Sequence, residues 1–473
     1  MKSKYKKLLA CFIVLFLLSP ALTVKAQAPT DNPVYIVQKG DTLTEIALQF
    51  GITVDELIQA NNITDANSIS VGDSLIIPGF EGISGVLTSE NAQLGETFKS
   101  ILLKHQLDEA LFVRLNHITS PNEVYAGSSL IVPEDQQAAP LSPLGSLAND
   151  DTLFDLAVRT NSNPWTLVGR NAWQGTWDTV PKEMAFGTAS QTQADASPIS
   201  PFISKVEISP LPLIQGETTE IKVTTTQPVT LSGQLTGHDL HFFKEKDNEY
   251  VAFQGIYRMT DPGIYPINLS GDVTGGGSFQ FEQSILVALR PEIKDAPLPV
   301  DPITTDPTIT GPEDALIKKY IDVISPDRLW DGQFKNPIDV PQGYSLFPDC
   351  ITDRFGNLRA YNDGPYNFFH AGMDMSACGN NLNIYAVAAG KVVFTQLLIV
   401  RGNYTIIDHG WGIFSAYSHQ SVVKVKVGDT VQAGQLIGLI GATGRVTGPH
   451  LDLGMWINGE NVDPMDWLNN TYP

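Results

Sequence analysis

Cysteine, positive charge and long apolar runs are all scarce in this chain of 473 residues. It has 3 cysteines, and its 30 lysines and arginines stand against 51 acidic residues, so the formal net charge is −21. Such acidity argues against nucleic acid as a partner and against adhesion to anionic surfaces. Beyond the N-terminus, no segment approaches the roughly eighteen apolar residues of a membrane span. The length exceeds what one core supports and predicts several domains.

The N-terminus has the pattern of a secretory signal peptide. Lysines precede an apolar run from Leu8 to Leu18, and small residues follow up to Ala26. The pattern predicts a signal peptide at residues 1–26, and hence a secreted or cell-wall-associated protein with no membrane span. An uncleaved anchor is the alternative. Removal of this segment takes away its lysines and no acids, which moves the net charge to about −26.

Two cysteines, Cys350 and Cys378, remain after the signal peptide. In an oxidising compartment such a pair favours a disulfide. Two free buried thiols are the alternative, and metal ligation by them is disfavoured because histidine and aspartate lie close by in the sequence. A disulfide here would tie the strand before Phe355 to the loop after Asp374 and brace the intervening segment.

A repeat with an offset of 55 residues occupies the N-terminal third. Equivalent positions recur in three units, as in Asp41, Glu96 and Asp151, and again in Asn61, Asn116 and Asn171. Each unit is expected to form strand, helix, helix, strand. In the first unit Thr42 and Glu45 have the spacing of a helix-capping box, and Gly51 can end that helix.

The first unit, from Tyr35 to Pro78, resembles the LysM module, since Tyr-x-Val, Gly-Asp-Thr-Leu, Ile-Ala, Phe-Gly and Ile-Pro follow in order. The predicted modules span residues 33–79, 84–134 and 140–187, the last being a degenerate copy. The resemblance implies binding of N-acetylglucosamine glycans such as peptidoglycan by Asp41, Thr42, Leu43 and Asn61. Alternatively, these side chains cap and brace turns, and the later units are spacers.

The middle of the chain changes character. Short alternating segments punctuated by Gly, Pro and Asp predict an Ig-like β-sandwich over residues 203–290. A Ser-, Thr- and Gln-rich stretch at 188–202 and a proline- and acid-rich stretch at 291–312 predict linkers. A short helix from Pro312 to Ile324 is expected to lead into the final domain at 313–473. The fold class is therefore multidomain α+β.

The C-terminal domain carries the residues that point to chemistry. His370 precedes Asp374, and His450 precedes Asp452 by two positions, with His419 between the two pairs. Residues two apart on a strand share a face, so His450 and Asp452 would project together. Imidazole and carboxylate are ligands of Zn²⁺, and three protein ligands with an open position are typical of catalytic zinc. A satisfied polar cluster is the alternative.

From about Asp327 onward the chain resembles the M23 (LytM/lysostaphin-type) zinc metallopeptidases. The matching motifs are His-x-Gly-x-Asp at His370, Asp-His-Gly at Asp408, Tyr-x-His at Tyr417, and Thr-Gly-Pro-His ending at His450. The resemblance implies an antiparallel β domain of the duplicated hybrid motif type and a Zn²⁺ cofactor.

The same resemblance implies roles for individual residues. His370 and Asp374 would be metal ligands, and His419 and His450 would be catalytic residues that orient water and stabilise the transition state. The family's third ligand is the second histidine of His-x-His, and this chain has Asp452 there. Because a second anionic ligand would make zinc a weaker Lewis acid, the expected consequence is slower turnover, an altered metal preference or an inactive site.

Three neighbouring side chains complete the predicted site. Tyr361 and Tyr366 are candidate oxyanion donors, and His409 is expected to hold a strand turn. The resulting hypothesis is an exported, peptidoglycan-binding zinc endopeptidase that cleaves cell-wall stems or cross-bridges. A degenerate, non-catalytic M23 regulator or cell-wall adaptor is the alternative, and a plain glycan-binding scaffold would leave the site residues without a role.

Overall fold

The computed structural model describes residues 32–38, 41–65, 69–80, 83, 85–134, 141–146, 152–173, 175, 184–188, 199–200, 202–274, 276–379 and 381–473. The predicted signal peptide at 1–26 lies outside these residues. The fold is mostly β with several helices, as the sequence predicts in outline. None of the described helices is long and apolar enough to cross a membrane. The chain divides into two compact units, residues 1–88 with 131–136, and residues 89–130 with 137–473.

The first repeat lies in the first unit. Its elements are β1 (Val34–Ile36), α1 (Leu43–Gln49), α2 (Val54–Asn61) and β2 (Ser74–Ile76), with β1 and β2 antiparallel. The predicted capping box at Thr42 and Glu45 is present with both of its hydrogen bonds. Gly51 has a φ of 64° and follows the end of α1, as expected for a glycine that stops a helix.

The other two repeats keep the strand, helix, helix, strand order. Their elements are β3 (Val86–Asn91), α3 (Phe98–His105), α4 (Glu109–Asn116) and β4 (Ser129–Glu134), then β5 (Leu141–Ser146), α5 (Leu153–Arg159), α6 (Pro164–Arg170) and β6 (Met184–Thr188). Asn171 is fully buried in the third repeat. Its side-chain NH₂ donates to the carbonyls of Leu167 and Phe186, and its side-chain oxygen accepts from the N–H of Phe186. A shared asparagine thus fastens the second helix to the closing strand.

Two β-sheets follow, and they enclose an apolar core. Their strands are β7 (Ile203–Ser209), β8 (Leu213–Ile214), β9 (Thr218–Thr225), β10 (Val229–Leu235), β11 (His238–Leu240), β12 (Phe243–Lys246), β13 (Glu249–Gly255), β14 (Gly263–Val273) and β15 (Ser278–Ala288). One sheet has the order β11-β10-β14-β15-β8 and the other β12-β13-β9-β7. Alternate side chains such as Ile221 on β9 and Ile267 on β14 are fully buried in the core.

The segment predicted as a linker at 291–312 is not a free tether. Its main chain bonds to the C-terminal domain, since Leu358 N–H donates to Ile293 and Leu298 N–H donates to Ala360. A 3₁₀ turn (Pro302–Thr305) and helix α7 (Pro307–Ile321) follow, so the helix begins before Pro312 and ends before Ile324. The proline-rich composition predicts solvation, but these long-range backbone bonds fix the segment in place.

The C-terminal domain is built on antiparallel strands, as predicted. Its elements are β16 (Ile351–Asp353), β17 (Leu358–Arg359), β18 (Phe368–Phe369), β19 (Met373–Met375), β20 (Asn383–Tyr385), β21 (Gly390–Leu398), β22 (Gly402–Gly410), β23 (Ile413–Gln420), β24 (Val422–Val423), β25 (Thr430–Val431), β26 (Leu436–Leu439), β27 (Leu451–Ile457), β28 (Glu460–Val462) and α8 (Pro464–Asn469). The main sheet runs β16-β19-β27-β23-β22-β21-β25, with β28 beside β27. Phe253 of β13 packs on Trp330 and Trp467, so the two-sheet domain and this domain share apolar contacts.

Candidate metal centre

The candidate metal centre is built on two neighbouring strands of the main sheet. β19 and β27 are antiparallel, and Asp374 lies directly opposite Asp452. Because side chains alternate along a strand, Met373 and Leu453 are buried in the core while both carboxylates face the other side. Two like charges directly opposite one another destabilise a sheet. This pairing therefore indicates a position where a cation is favoured.

Three ligand atoms converge at this position. His370 Nε2 lies 3.0 Å from Asp374 Oδ1 and 3.5 Å from Asp452 Oδ1. All three atoms are buried, and none finds a hydrogen-bond partner among the described residues. Ligand atoms about 2.0–2.2 Å from a tetrahedral zinc ion are roughly 3.3–3.6 Å apart, so the separation from Asp452 matches and the one from Asp374 is about 0.3 Å too short. One nitrogen and two oxygens are a donor set that Zn²⁺ accepts.

Three imidazoles turn the same nitrogen towards the centre. Each Nδ1 faces a backbone carbonyl: His370 with Arg354 at 3.1 Å, His419 with Thr443 at 2.8 Å, and His450 with Gly448 at 2.8 Å. A carbonyl oxygen can only accept, so the proton of each neutral ring resides on Nδ1. Each Nε2 is therefore left with a lone pair, which can bind a metal ion or accept a proton.

A second carboxylate, Asp353, also approaches His370. Ligand atoms of Asp353, His370 and Asp374 lie within 4.8 Å of one another. Asp353, however, faces Nδ1 of His370 at 3.5 Å and already pairs with Arg359. Asp452 instead presents an oxygen with no partner among the described residues to Nε2. The geometry therefore favours Asp452 as the third donor and gives Asp353 the task of orienting the ring.

Arg359 fixes the orientation of Asp374. Its Nη2 donates to Asp374 Oδ2 at 3.1 Å and also pairs with Asp353. One oxygen of Asp374 is thereby held by the guanidinium, and the other points at the centre. Arg359 is thus the group that orients one of the predicted ligands.

The charges of the centre are coupled. Burial opposes a charge on His370, but the carboxylate of Asp374 outweighs it and raises the pKa of the imidazole to about 10. Burial alone would raise the pKa of Asp452, yet its interaction with His370 holds that pKa well below the usual range. Burial lowers the pKa of His419, which keeps that ring neutral at pH 7. Without a metal ion, the two ionised carboxylates therefore favour a proton on Nε2 of His370, and a metal ion bound there would displace that proton.

Local backbone features aim the remaining groups. A Cβ on Gly372 would lie 1.9 Å from Asp452 Oδ1, so only glycine leaves room for that carboxylate. His419 has a φ of 62°, an uncommon conformation for a side chain of this size, and it lies beside an irregularity in the pairing of β22 and β23. The irregularity turns His419 towards the centre, where its Nε2 lies 4.0 Å from Asp452 Oδ2.

The centre opens into a cleft of about 520 Å³. One wall is the segment from Asp295 to Val300, and the loop carrying Arg445 lines the cleft as well. Asp295 holds this wall in place by pairing with Arg359. Sequence reasoning missed Asp295 because its proline-rich surroundings predict a solvated linker.

The other predicted side chains have defined partners. Tyr366 donates to the carbonyl of Asp295 at 2.7 Å, whereas Tyr361 accepts from Arg445 at 2.9 Å and lines the cleft. His409 is fully buried between a carbonyl and Ser415 Oγ, both at 2.8 Å, and burial lowers its pKa to about 4. These contacts confirm that His409 is structural.

The predicted disulfide is present between Cys350 and Cys378. Cys350 is fully buried and immediately precedes β16, which pairs with β19. The bond therefore joins the edge of the sheet to the loop that follows Asp374. As expected, it braces the site without taking part in it.

The predicted glycan-binding side chains have partners within the first repeat. Asp41 accepts hydrogen bonds from Tyr35 and the N–H of Gln38, Thr42 caps α1, and Leu43 is buried. Asn61 bonds to both main-chain groups of Ile76. The contacts of these side chains are therefore those expected under the alternative, in which the residues cap and brace turns.

Two known families have models that match parts of this chain. The model of peptidase family M23 matches residues 368–464, which include the metal centre. The LysM domain model matches residues 35–78 and 93–133, the first two repeats.

Individual relatives are similar to part of the chain. Over 141 residues the chain is 44% identical to the peptidoglycan DD-endopeptidase ShyA of Vibrio cholerae serotype O1. This alignment covers 28% of this chain and 33% of ShyA. It is 39% identical over 82 residues to ShyB of the same organism, covering 17% and 19%. It is 36% identical over 128 residues to the DD-carboxypeptidase/endopeptidase Mpg of Neisseria meningitidis serogroup B, covering 27% and 26%. The aligned regions thus span a third or less of these relatives, and this chain contains a peptidase family M23 domain preceded by two LysM domains.

Proposed function

We propose that this protein is an exported, peptidoglycan-binding zinc endopeptidase that hydrolyses peptide bonds in cell-wall stems or cross-bridges. One observation carries the proposal. Buried donor atoms of His370, Asp374 and Asp452, with no partner among the described residues, converge at the floor of an open cleft. The similarity to peptidoglycan endopeptidases supports this substrate class.

His370, Asp374 and Asp452 would hold the zinc ion. Bound there, zinc would supply Lewis-acid polarisation of the scissile carbonyl and lower the pKa of a water molecule. The residues themselves set how strong that effect is. Two carboxylates and one neutral imidazole make the site formally neutral, so the ion would be less electrophilic than with a single carboxylate. We therefore expect modest turnover compared with a site of two histidines and one aspartate.

His419 and His450 would move the protons of the reaction. Their Nδ1–H groups are held by backbone carbonyls, and Nε2 of His419 lies 4.0 Å from Asp452 Oδ2. His450 Nε2 lies 3.5 Å from Asp374 Oδ1, and the two imidazole rings are 4.9 Å apart. The pKa of His419 is lowered by burial, which suits a base that is neutral at pH 7. Either ring can accept a proton from water and pass it to the leaving amine.

The N-terminal modules would hold the enzyme on its polymer. Tethering raises the local concentration of substrate, so weak individual modules act together. Their presence beside a family M23 domain supports a secreted or cell-wall-associated location, with residues 1–26 removed as a signal peptide. We also assign the two-sheet domain to the Ig-like sandwiches and the C-terminal domain to the duplicated hybrid motif architecture.

A non-catalytic adaptor is the second candidate, and Asp452 is the observation that favours it. A carboxylate at this position weakens the electrophilic character of the site, and a wall-binding protein could keep the cleft without turnover. The free ligand atoms and the two oriented histidines argue for catalysis, because an adaptor has no need of them.

The experiment uses purified full-length protein and isolated peptidoglycan sacculi. Release of new amino termini is measured after metal removal by chelation and again after addition of zinc. Zinc-dependent release supports the endopeptidase. Binding to sacculi in a pull-down without release at any zinc concentration would favour the adaptor instead.

A further inference from the structure

Three arginines line the cleft, and two of them are paired with carboxylates. Arg359 contacts Asp295, Asp353 and Asp374, and Arg401 contacts Glu313 and Asp314. Burial opposes both charges, but the carboxylates around Arg359 raise the pKa of its guanidinium, and Tyr404 together with Asp314 and Glu313 raises that of Arg401. These two cations are therefore neutralised within the protein.

Arg445 is different. Its Nη1 donates to the backbone carbonyl of Thr304 and its Nη2 to Tyr361 Oη, both at 2.9 Å. Its guanidinium also lies 4.2 Å from the centre of the Tyr361 ring. No carboxylate among the described residues forms an ion pair with it. Burial, together with the charges of Arg401 and Arg359, lowers its pKa.

Arg445 lines the cleft and keeps donors that have no partner among the described residues. The two hydrogen bonds leave the Nε–H of Arg445 and the second hydrogen of each Nη unused. The contacts with Thr304 and Tyr361 hold the planar group in one orientation, so little rotamer freedom remains to be lost on binding. The chain has a net charge of −21, yet this fixed cation has no acidic partner among the described residues. Its guanidinium is therefore available to bind an anion that comes from outside the protein.

We propose that Arg445 is a binding site for a carboxylate of the peptide substrate, beside the scissile bond. The inference rests on the proposed function and names its substrate class, which is an acidic peptide rather than an amidated one. The carboxylate is either the terminal carboxylate of a stem or a side-chain carboxylate along it. A planar guanidinium matches a carboxylate through paired hydrogen bonds, which lysine cannot reproduce.

The test uses three forms of one synthetic cross-linked stem peptide: the free acid, a form amidated at the C-terminus, and a form amidated on its side-chain carboxylates. KM and kcat are measured for zinc-loaded full-length wild type, Arg445→Gln and Arg445→Lys. Arg328→Gln is the matched control, since Arg328 is exposed, stacks on Trp330 and does not line the cleft. Dissociation constants of fluorescently labelled peptides are measured on the same proteins by anisotropy.

For wild type, amidation at one of the two positions should raise KM about tenfold with little change in kcat. That position identifies which carboxylate Arg445 binds. Arg445→Gln should lose the distinction between acid and amide, Arg445→Lys should keep part of it, and Arg328→Gln should keep all of it. Because the acid-to-amide ratio is measured within each protein, incomplete folding of a variant does not alter it.

The outcomes separate the two proposals. A wild type that treats all three peptides alike, or an Arg445→Gln that still prefers the acid, overturns the carboxylate site while cleavage upholds the endopeptidase. Preferential binding of the acid that depends on Arg445, without any cleavage, supports the site and counts against the endopeptidase. Absence of both binding and cleavage contradicts both.

Discussion

Replacing Gly372 by alanine should disable the metal centre without changing any ligand. The new Cβ would lie 1.9 Å from Asp452 Oδ1 and 2.8 Å from the carbonyl oxygen of Leu453. Contacts below 3.0 Å are essentially never tolerated, so the carboxylate must retreat by about 1 Å or more. The φ of Gly372 lies outside the left-handed region, so the backbone itself accepts alanine.

A displacement of this size has a predictable cost. Misplacing a catalytic group by about 1 Å lowers activity roughly 100-fold, and disturbing the support of a ligand weakens metal affinity about 10- to 100-fold. The assays are zinc affinity by competition with a chromogenic chelator and release of amino termini from sacculi. A thermal melt reports the accompanying packing strain, for which about 1–3 kcal/mol is expected.

Gly454→Ala is the matched control for this prediction. Gly454 lies on β27, on the same face as Asp452, and an added Cβ would meet its nearest neighbour, Ala416, at 3.6 Å, an ordinary contact. Zinc affinity should therefore stay at the wild-type value in the control. Wild-type affinity and activity in Gly372→Ala would refute the placement of the Asp452 carboxylate.

Two further predictions concern proton transfer and pH. His419→Asn and His450→Asn should each lower kcat about 10²- to 10⁴-fold while bound zinc is unchanged, and loss of zinc would show a ligand role instead. Asn is chosen because it tolerates the positive φ of His419. Burial and the charge of Asp463 raise the pKa of Asp466 to about 8, so its contribution to stability is present below about pH 4 and is lost as pH rises to about 8. Asp466→Asn keeps an acceptor for the N–H of Thr218. The melting temperature of this variant should exceed that of wild type by a margin that grows as pH rises across this range. A margin that does not change with pH would contradict the raised pKa of Asp466.

Sequence reasoning singled out the candidate ligands because their spacing is local. Asp452 lies on β27, which begins directly after His450, and Asp374 lies on the neighbouring strand β19, which follows His370. The register that sets Asp374 opposite Asp452 depends on pairing between distant segments, and no local pattern encodes it. The helix caps were equally predictable, because a capping box is contained within four residues.

The surroundings of the site were harder to predict for the same reason. Asp295 belongs to a proline-rich stretch, and only its contact with Arg359 reveals that the stretch is a wall of the cleft. Glycan binding by Asn61 stays a prediction that rests on the resemblance to LysM. The bonds that Asn61 makes with Ile76, fifteen residues away, could not be predicted from local spacing.

Zinc content is the most direct test of the central claim that Asp452 completes the metal cage. Wild-type protein, Asp452→Ala and Asp452→His are loaded with zinc, dialysed and analysed for metal by mass spectrometry, alongside cleavage of sacculi. We expect equimolar zinc in wild type, loss of zinc and cleavage in Asp452→Ala, and zinc with preserved or improved cleavage in Asp452→His. Equimolar, tightly held zinc and unchanged cleavage in Asp452→Ala would contradict the claim.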